Sequence, residues 1–357
     1  MEFKKLYKLF GLIAFGLAFT TRIGPAFGQE PFYKGKSVRM VVNFTAGGPT
    51  DIFARLIARH LPKHISGGPT VVVENMGGAG GIIGANHVYE VAKPDGLTLG
   101  VFSGVHMAQV LNSAGVRYDL KKMPIIAGAA ETSVQFVGAE TGVKSVGDLL
   151  KASKPIVVAG LGRESVKDLA LRLALNLLGV THRYVTGYKG VAEIRLALRQ
   201  GEVNYSSESL TGYNAAMVAL VQEGIVVPLF QEGLLSPEGD VVRDLRSDLP
   251  TFKEIFTQIK GKEPSGPLWE AYKIGGGANT MLRFIAVPPN TPAKLVEILR
   301  GSFRDTFEEA EFKAESDRVL RFLLRAFVGE EAEKVNAATF RAASGPALEV
   351  LKKMIRD

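Results

Sequence analysis

Beyond residue 30 the apolar residues fall into short continuous runs separated by stretches where they recur every three or four positions. The continuous runs predict strands: "VRMVVNF" (38–44), "TVVVEN" (70–75), "LTLGVF" (97–102), "PIIAGAA" (124–130), "VQFVGA" (134–139), "PIVVAG" (155–160), "HRYVTG" (182–187), "EVNYSS" (202–207), "IVVPLF" (225–230) and "LRFIAV" (282–287). Runs of this kind suit strands of a sheet covered on both faces, where no side points to water. Between them, "TDIFARLIARHL", "DLALRLALNLLG" and "GVAEIRLALRQG" carry the helical period, and the last two stop on glycine. From Pro292 to the end the pattern predicts helices only. Strand–helix alternation of this kind defines an α/β fold with mainly parallel sheets flanked by helices. The segment 232–250 reads as a polar loop and "IGGGAN" (274–279) as a flexible hinge.

The first thirty residues follow a different pattern. Lys4, Lys5 and Lys8 precede an apolar run at 9–19, which is short for a membrane span, and "AFG" (26–28) supplies the small residues of a cleavage site. An export signal ending near Gly28 is expected, and with it a periplasmic location. The chain of 357 residues has no cysteine, which excludes disulfides, thiolate metal sites and a lipid anchor after the apolar run. Even without its first 28 residues it exceeds what one core usually supports, so two domains are expected. A net charge of +7, with its basic residues dispersed among the acidic ones, lacks the concentrated stripe of a nucleic-acid binder.

Chemistry is suggested by two glycine-rich joints. In "NFTAGGPTD" (43–51) a strand runs into Gly47 and Gly48 and then into a helix expected to open at about Ile52. Glycines admit a ligand close to bare amides, and Pro49 suits a first helical turn. Thr50 or Asp51 can cap that turn, while the helix start offers unpaired amides to an anion. Asp51, itself negative, is expected to fix the loop; the same residues also suit a plain strand-to-helix turn. The second joint, "ENMGGAGGIIGANHV" (74–88), fails the dinucleotide spacing, because Ile83 stands where the third glycine would follow Gly78 and Gly80. Neither a Gly-x-Ser-x-Gly elbow nor a Walker loop occurs, so an enzyme is not expected. His60 and His64 have the spacing of a zinc helix, but Leu61 and Pro62 break that motif, and a solvated helix end is expected there. For His106 a capping or packing role is expected.

Taken together, the joints resemble the solute-binding proteins of tripartite tricarboxylate transporters, the Bug family. "FTAGGPTDIFAR", "ENMGGAGGIIGA" and "PDGLTL" stand in that family's order, and "VTGYKGVAEIRLALRQGEVNYSSES" and "IAVPPNTPAKLVEILR" extend the resemblance over the mature chain. Ala46 replaces a usual proline, Asn204 a usual aspartate, and "GLGRESVKDLA" (160–170) puts Arg163 where serine is usual. Asp168 takes the family's histidine position only if two residues are inserted. The resemblance implies a type II, two-lobed Venus-flytrap protein, with residues 29–130 and 281–357 in one lobe and 131–280 in the other. Hinge motion would occur near 128–133 and 275–283. It implies a monomer without cofactor, metal or catalytic residue that binds a small organic acid and delivers it to membrane transporter subunits. A sensor subunit of a two-component system and an exported enzyme acting on an organic acid are the alternatives. The implied ligand residues are Phe44, Thr45, Gly47, Gly48, Thr50, Asp51 and Ser103 in the first lobe. In the second they are Gly162, Arg163, Thr186, Gly187, Tyr188, Lys189, Ser206 and Ser207. Arg163 would clasp a second carboxylate through its planar fork; otherwise it is a surface arginine at a helix start. Lys189 is also readable as a solvated turn lysine, and Tyr188 as a wall of the pocket or a filler between lobes.

Overall fold

The computed structural model describes residues 30–356 apart from 237–238, 323 and 343–344. The expected export segment, 1–28, lies outside the described residues.

The strands are β1 (Ser37–Val42), β2 (Thr70–Asn75), β3 (Thr98–Ser103), β4 (Ile125–Ala130), β5 (Ser133–Gly138), β6 (Ile156–Gly160), β7 (His182–Thr186), β8 (Tyr205–Ser209), β9 (Val226–Gln231), β10 (Leu234–Leu235), β11 (Val241–Val242), β12 (Arg283–Ala286) and β13 (Arg325–Val328). They form a six-stranded sheet of order β13-β4-β12-β3-β1-β2, a five-stranded sheet of order β7-β6-β8-β5-β9, and the hairpin β10–β11. β1 to β4 share one direction, with β12 and β13 reversed; in the second sheet only β5 runs against its neighbours. The reversed strands β5 and β12 each begin just after the chain crosses between sheets. β4 and β5 are buried at every position, as continuous apolar runs require when helices cover both faces. Separate apolar clusters lie on the two sides of each sheet. The result is a mixed α/β protein of two lobes. Its final helix, Gly345–Arg356, inserts Ala347, Leu351 and Met354 into the core of the second sheet.

Three expectations change. The stretch after Pro292 is not helical throughout, because β13 adds a four-residue edge to β4. So short a run, bounded by helices, carries too few positions to show a period. The glycines expected to form a hinge lie inside the helix Pro267–Thr280, where Gly275 brings the backbone close to Ala170. The polar segment 232–250 is a brace. The Gln231 amide holds the carbonyls of Asp244, Ser247 and Leu249, Asp244 accepts from the Thr132 amide, and Arg246 donates to the carbonyl of Ala130.

His60 is also not at a solvated end. It is buried, with Nδ1 2.9 Å from Glu309 and Nε2 2.5 Å from Glu315, and it ties the first helix to the helices Ala293–Glu308 and Ala310–Leu320. Lys63 and His64 also pair with Glu309, and Arg59 and Arg318 with Glu315. His106 is buried on Asn336, and burial pushes its pKa down to about 4, in keeping with a packing role.

The second glycine cluster has a packing reason. A Cβ on Gly84 would stand 2.8 Å from the Met76 carbonyl oxygen and 2.9 Å from the Cα of Asn43, both backbone atoms that cannot swing aside. Gly84→Ala is therefore expected to destabilise the fold by about 1–3 kcal/mol, the usual range for overpacking. A urea midpoint equal to wild type would reject that close approach.

Candidate functional site

The end of β1 is tied to the end of β3. The Asn43 side chain donates to the Ser103 carbonyl at 2.9 Å and accepts from the Ser103 amide at 3.1 Å. Beyond it the chain turns at Gly47 (φ +77) into a helix, Pro49–His64, that opens three residues before Ile52. Its first internal bond runs from the Ile52 amide to the Gly48 carbonyl, so the amides of Thr50 and Asp51 precede the ladder. Asp51 does fix the loop. It accepts from the Gly47 amide at 2.9 Å and from Arg55. Burial raises its pKa, but the bonds from Arg55, Gly47 and Asn75 outweigh this and hold it below the usual carboxylate value. The expected free amide at Gly47 is thus already satisfied, and the amides that precede the helical ladder lie one turn onward, at Thr50 and Asp51.

The second lobe repeats this device. The Gly162 amide donates to Asp168 at 2.8 Å, and the Tyr184 hydroxyl donates to the same oxygen at 2.8 Å. Asp168 is fully buried, and desolvation raises its pKa against the opposing pull of Lys167, Gly162 and Tyr184. Its neighbour Lys167 donates to the Ala159 carbonyl (3.2 Å), to the Ser206 hydroxyl (3.0 Å) and to Asp168 Oδ1 (3.4 Å), with which it is ion-paired.

Between the lobes lies a cleft. On the first lobe it is lined by Phe44, Thr45, Gly48, Pro49, Thr50, Gly80, Ser103 and Gly104. Facing them are Ser133, Leu161, Ser165, Val166, Lys167, Gly190, Val191, Glu208 and Ser209, and at the crossing Asn279, Leu282 and Arg283. The lobes touch: a Cβ on Gly190 would meet the Thr45 hydroxyl oxygen at 2.5 Å, and one on Gly212 would meet the ring of Pro49. Three helices begin on this cleft, at Pro49, Val166 and Val191. Their first-turn amides and dipoles favour negative charge. The acidic side chain on the lining, Glu208, is matched by Arg195 at 2.6 and 2.5 Å; burial raises its pKa and that pairing opposes the rise.

Five of the residues expected from sequence line the cleft: Phe44, Thr45, Gly48, Thr50 and Ser103. Gly47 and Asp51 stand behind them. Gly162 borders an adjoining recess with Ala79, Gly80 and Ser165. Arg163 lines neither space, and its Nη1 is buried with no partner among the described residues. Thr186, Gly187 and Lys189 are exposed and Tyr188 is half-buried; none lines the cleft, although Gly190, next in the chain, does. Lys189 uses its amide to bond Glu193. Ser206 and Ser207 are buried in β8; Ser206 acts through Lys167, and the Ser207 hydroxyl has no partner among the described residues. Sequence reading missed Lys167 and Arg283. The signal for Arg283 was present, since an arginine inside the apolar run "LRFIAV" must be buried and paired.

This geometry, a cleft between two α/β lobes with helix N-termini converging on it, defines a two-lobed solute-binding protein. Residues 53–227 match the tripartite tricarboxylate transporter family receptor, TctC. A UPF0065 protein of a Pseudomonas species is 30% identical over 266 residues, covering 71% of this chain and 76% of that protein. Another from Cupriavidus necator is 24% identical over 81% and 80% of the two chains. A relative from Agrobacterium vitis is 32% identical, but the match spans only 52% of its length. Among solved structures, the periplasmic binding protein BugD superposes with a TM-score of 0.67 at 24% identity, over 90% of this chain and 98% of that one. MatC from Rhodopseudomonas palustris, with bound malate, gives 0.64 at 22% over 90% and 99%. The chain belongs to the tripartite tricarboxylate transporter receptor family, whose members are extracytoplasmic solute-binding receptors rather than enzymes. Among the described residues no helix is long and apolar enough to cross a membrane.

Proposed function

We propose that this protein, exported and cleaved near Gly28, captures a small organic acid in the interlobe cleft as a monomer without cofactor and delivers it to the membrane subunits of a tripartite tricarboxylate-type transporter. One observation carries the reading. Three helix N-termini and Lys167 open on a single cleft in which Glu208 is already matched by Arg195. The relatives bound to malate and, at 24% identity and a TM-score of 0.67, to adipate point the same way. Thr45, Gly48, Thr50 and Ser103 would hold one carboxylate from the first lobe, with Phe44 beside it, and Ser165, Lys167 and Gly190 would meet the ligand from the second. Two or three hydrogen bonds to a charged acceptor, at about 1.5–3 kcal/mol each, supply much of the ~8 kcal/mol behind a micromolar dissociation constant.

Thermal shift over mono-, di- and tricarboxylates and aromatic acids tests this. At least one acid is expected to raise the melting point; a response confined to neutral sugars or amines sinks the assignment. Lys167→Met is expected to weaken the best acid by about 10- to 100-fold, the worth of one charge-assisted bond, in calorimetric titration. Unchanged affinity would remove Lys167 from the site.

A further inference from the structure

Pro62 does not interrupt the helix Pro49–His64, so His60 and His64, one turn apart, stay on one face at its C-terminal end. Both turn toward the corner between the helices Ala293–Glu308 and Ala310–Leu320, where Glu309 stands. His60 Nδ1 lies 2.9 Å from Glu309 Oε2, and His64 Nε2 lies 3.4 Å from the same oxygen. Carboxylate oxygens of Glu309 and Glu311 and a ring nitrogen of His60 all lie within 4.8 Å of one another. The cluster is outside the cleft, since His60 lies roughly 16 Å along the helix axis from the Pro49 end that lines it.

The proton count in this cluster does not close. A neutral imidazole has one N–H. The 2.5 Å contact of His60 Nε2 with Glu315 takes it, in the arrangement that orients metal-binding histidines. Nδ1 then turns its lone pair on the Glu309 carboxylate, and two acceptors at 2.9 Å need a cation between them. A second proton on His60 serves that pair alone. It leaves His64 Nε2, which is buried and makes no hydrogen bond among the described residues, still facing the same oxygen. A metal ion takes a lone pair from all three atoms. Ligands of a tetrahedral zinc ion, with bonds of about 2.0–2.1 Å, stand about 3.3 Å apart, close to both spacings.

We propose that His60, His64 and Glu309 form a structural site for a zinc-class divalent cation, with Glu311 as the fourth ligand. Lys63 holds Glu311 at 2.6 Å and Glu309 Oε1 at 3.1 Å. Its side chain is nearly half-exposed, so it can swing into water and release Glu311 to the ion. Mixed imidazole and carboxylate ligands suit zinc over magnesium, which prefers oxygens and keeps its waters. The C-terminal dipole of the helix favours the added positive charge. Leu61 stands where a zinc hydrolase helix carries its general base, so the site is a staple. It pins the helix whose other end walls the cleft to the corner at Glu309.

Zinc sulfate and magnesium sulfate are the probes, added to the untagged protein freed of metal and of organic acids. Zinc is expected to bind at one site in calorimetric titration and to raise the melting temperature by a few degrees, as a ligand of the folded state does. Magnesium is expected to do neither. His64→Ala is expected to weaken zinc binding at least about tenfold. Lys63→Met removes the competing ammonium but no ligand, and is expected to strengthen zinc binding severalfold. A wild type whose melting temperature zinc leaves unchanged, or that responds equally to magnesium, overturns the proposal. So does equal zinc affinity in wild type and His64→Ala, which would place the ion on other side chains. An unchanged or weaker zinc affinity in Lys63→Met overturns it as well, even where His64→Ala does not fold.

Discussion

Gly190→Val is expected to weaken ligand binding by about 10- to 100-fold while leaving the unliganded protein close to its wild-type melting temperature. The reason is contact between lobes. Gly190 has an extended backbone (φ −173°), which any residue adopts, so valine introduces no backbone strain. Its Cβ, however, would stand 2.5 Å from the Thr45 hydroxyl oxygen across the cleft. Either the Thr45 hydroxyl must turn away or the close approach must be given up. Overpacking of this kind costs about 1–3 kcal/mol, paid only when the lobes meet. The apparent dissociation constant rises as the binding-competent fraction falls. Small-angle scattering should show the variant remaining extended when ligand is added. A variant that binds and compacts like wild type would show that the Gly190–Thr45 approach is not part of the liganded state.

The second large effect falls on stability. Asp244 is 3% exposed and pairs with Arg246 at 2.7 and 2.6 Å. It also accepts from the Thr132 amide in the crossing, while the Arg246 guanidinium donates to the Ala130 carbonyl and lies 4.8 Å over the Phe322 ring. Asp244→Ala leaves the crossing amide and much of a buried guanidinium unmatched, and is expected to cost about 3 kcal/mol, as breaking a buried pair usually does. Urea denaturation measures it, and a loss below about 1 kcal/mol would mean the brace does not support the crossing. The pH dependence has a definite sign. Burial raises the Asp244 pKa, but its bonds from Arg246 and Thr132 outweigh burial and leave it lowered from 3.8. The contribution is therefore complete above the unfolded value and lost as pH falls through the lower folded one. Wild type should lose stability relative to Asp244→Ala only in that acid window.

Many backbone elements were legible in the chain itself. All ten apolar runs correspond to strands, and each of the three amphipathic stretches corresponds to a helix. Most were readable because burial on both faces leaves an uninterrupted apolar run, and the edge strands β2 and β7 because their β-branched and aromatic residues form a run of the same kind, signals that depend on local residue type alone. β13 and the hairpin β10–β11 were not, since runs of two to four residues show no period; β13 is held by backbone pairing to the distant β4, and β10 and β11 by pairing with each other.

Part of the cleft lining on the first lobe was also legible. Phe44, Thr45, Gly48, Thr50 and Ser103 follow from a strand end that runs into a glycine joint and a helix start, which are local features. The rest required the tertiary structure. Residues 186–189 looked suitable in sequence, but the turn places Gly190 and Val191 at the cleft instead. Lys167 became a cleft residue only because Ser206, nearly forty positions later, holds its amine, and Arg283 only because Glu131 and Ser209 arrive from the other lobe. By itself, then, the sequence determined the alternation of strands and helices, the two glycine joints and the family. Which cations face the cleft, and which amides stay free, was decided by long-range pairing, because a charge becomes available to a ligand only after the rest of the chain has chosen its partners.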